Sequence, residues 1–391
     1  MRPNRPFCLS IGRATALTRR QGLTALAAAA LSGLVVPAYA QTEDIVLGQT
    51  IALTGPLADL GRAMSAGSKV YFDALNAKGG IKGRQVKLIT LDDGYDVKRS
   101  QENIKTLMLE KGFTGFFGVM GTPMVEAALP MIKESGVMLF APFSGALSIR
   151  PKDVRSVMVI RASYPEEATQ LVKHLATIGI KKIALVTQNN SFGNEVLAGT
   201  VDAMDKLGFK PVVATKVQND GSDAAASADK TAAAQPEAVI LGLAGKPALE
   251  FIKAVRTRQR GLSLYALSIL GAAGTIKAMG VDGEGVTLSQ VVPMPNRDSI
   301  AVVREFRQAF VAAKTDVEPS HLALEGYLNA KAFAQIASRI NGPINGKSIT
   351  EAAWATKRID LGGYEIGFTE PGSSASRFIE LTMISKTGFV R

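Results

Sequence analysis

Short apolar runs rich in β-branched residues alternate along this chain with longer segments whose apolar positions recur every three to four residues. The runs at 45–53, 86–91, 114–119, 137–141, 156–161, 183–187, 211–217, 238–243, 263–270 and 286–292 read as strands. The segments between them read as helices that bury one stripe. In 165–178, Ala168, Leu171, Val172 and Leu175 share a face while Glu166, Glu167 and Lys173 point away. Asn76-Ala77-Lys78-Gly79-Gly80 ends a helix that begins near Arg62, because glycine accepts the left-handed conformation that closes a helix. Such alternation predicts parallel sheets built from βαβ units. A chain of 391 residues exceeds the usual size of a single core, which predicts two domains.

The chain carries a faint internal echo. Gly118-Val119-Met120-Gly121-Thr122-Pro123 with Glu126 has the form G-x-x-G-x-P-x-x-E, and so does Gly242-Leu243-Ala244-Gly245-Lys246-Pro247 with Glu250. Each copy follows a predicted strand and opens a helix. Proline suits a first helical turn, where its missing N–H would be unpaired anyway. One reading is generic strand-to-helix grammar. The other is two similar lobes presenting equivalent strand ends to one cleft, since open α/β sheets bind ligands beyond the carboxyl ends of their strands.

The first forty residues break the pattern. Arg2, Arg5, Arg13, Arg19 and Arg20 precede a charge-free apolar run from Leu23 to Val36, and Pro37-Ala38-Tyr39-Ala40 follows. A basic start, a short apolar centre and an A-x-A end predict an export signal cleaved after Ala40, and hence a periplasmic protein. The run is too short for a typical membrane-spanning helix. Thr18-Arg19-Arg20-Gln21-Gly22-Leu23 is similar to a twin-arginine export motif, with Gly22 where a bulky apolar residue is usual, so both export routes stay open. The single cysteine, Cys8, leaves with the signal, so the mature chain is expected to hold no disulfide, thiol nucleophile or cysteine metal site. Cleavage also removes five positive charges and lowers the formal net charge from +11 to +6. The remaining basic residues are scattered and not interleaved with aromatics, which argues against nucleic-acid binding.

Little points to catalysis. His174 and His321 lie far apart in sequence; His174 flanks the apolar stripe of its helix as a partly exposed structural residue, and His321 sits similarly near a helix start. Adjacent side chains in an extended segment diverge, so Asp92-Asp93 reads as a turn at a lobe edge and not as an acid or metal pair. Gly342-Pro343-Ile344-Asn345-Gly346-Lys347-Ser348 has one residue too few for a phosphate loop and reads as a turn into a helix at 348–356. No metal, no cofactor and no enzymatic activity are expected.

Leu53-Thr54-Gly55-Pro56-Leu57, Gly61, the stretch Asn76 to Gly83 and Asp92-Asp93 resemble the opening of the periplasmic leucine/isoleucine/valine-binding family of transporter components. Ala141-Pro142-Phe143-Ser144-Gly145-Ala146, Arg161-Ala162-Ser163-Tyr164 and Phe192-Gly193 fit the same family, so the resemblance covers essentially all of the mature chain. It implies a type I binding-protein fold: two doubly wound parallel-sheet lobes joined by three crossovers, with a small-molecule ligand between them. One lobe would hold 41–162 and 295–361, the other 163–294 and 362–391. The resemblance implies a monomeric substrate-binding component that delivers its ligand to an ABC transporter permease. A soluble sensor of the same fold, docking on a separate receptor, is the alternative.

Thr122 is the leading site residue. A threonine before Pro123 can cap the helix, and the free N–H groups and dipole beside it would hold a carboxylate. By resemblance the position matches a hydroxyl residue that grips the ligand carboxylate. Met120, Gly121, Phe143, Ser144 and Gly145 would form the wall of the same lobe. Tyr164, Phe192, Ala244, Lys246, Ile269 and Leu270 would close from the other, with Lys246 read either as a charge offered to the ligand or as a solvated side chain. The departures bear on the ligand. An acid that pairs with the ligand ammonium in branched-chain amino-acid binders is absent from Ser268-Ile269-Leu270-Gly271-Ala272, and aromatics expected at Leu60 and at Gly245 are missing. A desolvated ammonium without an anionic partner is costly. Unless Glu325 or another carboxylate reaches in, the changes point from an amino acid toward an organic acid without an amino group, aromatic acids included.

Overall fold

The computed structural model describes residues 43–386; the predicted export signal, its cleavage point, the twin-arginine motif and Cys8 lie outside the described residues. The chain begins with β1 (Ile45–Ile51), α1 (Ala58–Asn76), β2 (Val86–Asp92), α2 (Val97–Met108), β3 (Phe113–Phe117), α3 (Thr122–Ser135), β4 (Leu139–Phe140) and β5 (Val157–Met158). These strands form one parallel sheet in the order β2-β1-β3-β4-β5. Every residue of β1 is buried, as a strand covered by helices on both faces must be.

A second run follows: α4 (Tyr164–Thr177), β6 (Ile183–Gln188), α5 (Ser191–Asp205), β7 (Val213–Val217), α6 (Ala224–Ala233), β8 (Ala238–Gly242), α7 (Gly245–Arg258), β9 (Ser263–Ala266), a 3-10 turn at Ser268–Leu270, α8 (Ala273–Met279) and β10 (Thr287–Gln290). Its sheet runs β7-β6-β8-β9-β10, the order of the first sheet repeated. The chain then returns to the first lobe as α9 (Ala301–Ala313), α10 (His321–Ser338), α11 (Gly346–Ala355) and the hairpin β11 (Ile359–Asp360) and β12 (Glu365–Ile366). It ends with β13 (Glu380–Met383), which pairs antiparallel with β10 at the edge of the second sheet. The architecture is α/β: two doubly wound lobes, with the chain passing between them after β5, after β10 and before β13.

The passages are tied together. Ala375 N–H donates to Val159 O at 2.9 Å and Ser376 N–H to Ile160 O at 2.8 Å. The Tyr364 hydroxyl donates to Val291 O at 3.0 Å. Phe117, Phe140, Phe333 and Phe368 fill the first core, and Phe251, Val255, Leu264 and Leu288 belong to the second.

Every predicted apolar run overlaps a strand, but several of the strands are shorter than the runs. The run 263–270 leaves the ladder at Ala266, because Ser268 N–H donates to the Glu167 carboxylate at 2.9 Å and the chain turns there. The helix expected from Arg62 begins four residues earlier, and the one expected at 348–356 begins at Gly346 behind a cap formed by Asn345 and Ser348. His321 stands at the start of α10, near a helix start as expected; it is buried there, its Nε2 lacks a partner, and burial pushes its pKa down to about 3.

Candidate ligand-binding cleft

The internal echo marks equivalent places. Its two copies follow β3 and β8, the middle strands of the two sheets, and open α3 and α7. Residues from both copies face one cavity between the lobes, lined by Leu57, Leu60, Tyr95, Met120, Gly121, Thr122, Phe143, Tyr164, Phe192, Ala244 and Ile269. The cavity they enclose is small, about 20 Å³. The walls nearly meet.

Eight of the residues singled out from sequence are thus brought together. Ser144 stands directly behind the wall, its hydroxyl 2.8 Å from that of Thr122. Gly145 backs Tyr164: a Cβ there would come within 2.6 Å of the tyrosine ring. Leu270 is not at the cavity but fully buried in the second lobe's core, because the turn after β9 carries it inward. Lys246 has an exposed side chain, and only its backbone N–H reaches the cleft, donating to Pro56 O at 2.9 Å.

Thr122 is not the helix cap. Gly121 takes that position at φ 97, and Thr122 is the first helical residue. With proline next, the turn leaves the N–H groups of Thr122 and Met124 without intrahelical acceptors at the positive end of α3. Ser144 Oγ already accepts from Ala146 N–H at 3.2 Å. If Ser144 donates to Thr122, the Thr122 proton is free for a ligand.

Leu57 and Tyr95 were not anticipated as lining residues. Leu60 lines the cavity although the aromatic expected there is absent, and Tyr95 supplies a ring from the neighbouring strand end. The only signal for it was an aromatic in the turn after Asp92-Asp93. That pair diverges as expected. Asp92 accepts from Leu53 N–H, Thr54 N–H, the Thr54 hydroxyl, Gly94 N–H and Arg99, whereas Asp93 accepts from the Thr50 hydroxyl and Tyr95 N–H. Burial raises the pKa of both. For Asp93 it prevails and pushes the value to about 6, while the hydrogen bonds to Asp92 outweigh it and hold that group down at about 2.

Behind Phe143 and Tyr164 lies a buried ionic cluster. The Arg161 guanidinium packs over both rings, 5.2 and 5.7 Å from their centroids. It meets Glu167 at 3.4 Å and Glu325 at 3.7 Å, and donates to the Ser268 hydroxyl. Glu167 also accepts from Ser268 N–H and from the Ser289 and Ser268 hydroxyls at 2.7 and 3.1 Å. Burial disfavours the Arg161 charge, but Glu325 and Glu167 outweigh it and raise its pKa; burial raises that of Glu325 despite the arginine. Both carboxylates are committed to Arg161, and neither lines the cavity. Among the described residues no Asp, Glu, Lys, Arg or His does.

The lobes also touch outside this cavity. Asp59 of α1 accepts from Thr275 N–H at 2.5 Å and from its hydroxyl at 2.9 Å, at the start of α8. Glu195 of α5 accepts from Leu147 and Ser148 N–H at 3.1 and 3.3 Å.

Residues 44–388 match the family described as periplasmic binding protein, and the chain belongs to that family. Among curated relatives, Leu/Ile/Val-binding protein homolog 3 of Brucella melitensis is 25% identical over 221 residues. That match spans 56% of this chain and 59% of the relative's length. A crystal structure of a substrate-binding periplasmic protein from Ralstonia solanacearum superposes with a TM-score of 0.84 at 29% identity, covering 89% of this chain and 99% of that one. A solute-binding protein of an ABC transporter from R. palustris, solved in complex with benzoate, has the same fold, with a TM-score of 0.79 at 20% identity over 89% and 95% of the two chains.

Proposed function

We propose that this chain is the periplasmic substrate-binding component of an ABC importer, that it acts as a monomer without catalysing a reaction, and that it carries a small organic acid lacking an amino group. Export with cleavage after Ala40 belongs to the same reading. The observation that carries the ligand class is the absence, among the described residues, of any carboxylate from the cavity lining, set against the helix N-terminus and hydroxyl at Thr122. An ammonium buried there would lose its water without gaining an anion. A carboxylate would gain the N–H groups and dipole end of α3. The rest of the lining is apolar or aromatic, which suits a compact hydrocarbon or ring. Because the walls nearly meet, such a ligand enters when the lobes part about their three connections.

Relatives point both ways: one is named for leucine, isoleucine and valine, and one structure holds benzoate. A thermal-shift screen of residues 41–391, confirmed by calorimetry, separates the classes. Leucine is compared with 4-methylpentanoate, the same skeleton without the amino group, and benzoate is included. Ligand binding raises apparent stability by mass action. Stabilisation by either acid and none by leucine is the expected result; stabilisation by leucine alone overturns the proposed ligand class.

A further inference from the structure

Tyr95 combines three features. Its backbone is left-handed, at φ 65, a conformation costly for a side chain of this size. The carboxylate of Asp93 holds it there by accepting Tyr95 N–H at 2.9 Å, and Asp93 is itself fastened to β1 through the Thr50 hydroxyl at 2.9 Å. The ring lies against Gly121, where a Cβ would come within 3.0 Å of it, so glycine at the head of α3 makes room for the tyrosine. The strained backbone therefore serves to place one phenol beside the N-terminus of α3.

The hydroxyl of that phenol is engaged from the opposite lobe. Asn190 Nδ2 donates to Tyr95 Oη at 3.4 Å, while Asn190 Oδ1 caps α5 by accepting Gly193 N–H at 3.0 Å. An oxygen that accepts from Asn190 keeps its own proton to donate, and among the described residues that proton has no acceptor. Asn190 is in turn held by Asn219 Oδ1 at 2.8 Å, which fixes its amide.

We infer that Tyr95 is a ligand-selecting residue: its hydroxyl donates to the acid group of the ligand beside Thr122, and Asn190 orients it only when the lobes meet. The inference rests on the organic-acid reading of the cavity. It adds a donor that requires both lobes, so the acid is fully gripped only in the closed protein.

The test compares Tyr95→Phe with wild type in calorimetric titrations of residues 41–391, using benzoate and 4-methylpentanoate and their uncharged amides, benzamide and 4-methylpentanamide. Phenylalanine keeps the ring and the wall. The expected result is an affinity for the acids about tenfold weaker, the loss of one charge-assisted hydrogen bond, with amide binding much less affected. Asn190→Ser, which keeps a capping hydroxyl but loses the amide donor, is expected to shift the acids in the same direction by less. Equal losses for acids and amides, or unchanged acid affinity in Tyr95→Phe, overturn the role of Tyr95 alone. Failure of the wild type to bind either acid overturns the organic-acid reading and the donor role with it.

Discussion

The carbonyl oxygen of Pro56 lies 2.4 Å from the point that a Cβ on Gly245 would occupy. Pro56 belongs to the loop after β1 and Gly245 to the first turn of α7, so the contact crosses the cleft. Gly245 also has φ 54. Substitution with alanine meets a backbone atom that only lobe separation can move. Gly245→Ala is expected to weaken ligand binding by about tenfold or more and to keep the radius of gyration large when ligand is added, as small-angle scattering would read. Normal compaction with ligand would show that the lobes close without this approach.

The hydroxyl of Thr122 is expected to contribute about 1–2 kcal/mol to holding a carboxylate, the order of a hydrogen bond to a charged group. Thr122→Val removes it at nearly constant volume, and Thr122→Ser retains it. Calorimetry should therefore place the serine variant near wild type and the valine variant about tenfold weaker. Equal affinity for all three would remove the hydroxyl from the site.

Arg161 is the cation that Glu167 and Glu325 share in a buried cluster, so its loss leaves both without it. Arg161→Met is expected to cost about 3–5 kcal/mol in urea unfolding, the order seen when one member of a buried pair is removed. Adding Glu167→Gln to that variant should recover part of the loss. A methionine variant as stable as wild type would mean that the charges are not coupled.

Asp93 and Asp92 predict opposite pH effects. The folded protein keeps Asp93 protonated up to about pH 6, whereas an unfolded aspartate releases its proton near pH 3.9. Between those values the folded state binds more protons, so this group makes stability fall as pH rises from about 4 to 6. Asp92, held at about 2, contributes stability above about pH 4 that is lost as pH falls toward 2. In urea titrations Asp93→Asn should flatten the upper window and leave the lower one; an unchanged slope between pH 4 and 6 would assign it to other groups.

The elements and the ends of strands that form the cleft were legible in the chain because apolar periodicity and glycine-proline punctuation act locally. Gly118 to Glu126 and Gly242 to Glu250 could be recognised as related from spacing alone, and Thr122, Phe143, Tyr164 and Ile269 could be placed near a shared site. The lengths of the strands were not legible in the same way: β9 stops at Ala266 because a carboxylate on α4 takes the next N–H, and that partner is 101 residues away.

What the sequence by itself determined is the α/β alternation, the repeated strand-to-helix turns and the absence of an acid between Ser268 and Ala272. Only the tertiary structure decided that Glu167 and Glu325 are spent on Arg161, that Leu270 turns into the core, that Lys246 faces solvent, and that Tyr95 supplies the aromatic surface missing at Leu60. The physical reason is that periodicity reports which face of an element is buried, whereas a binding site is made of side chains from both lobes whose partners are set by packing across the cleft.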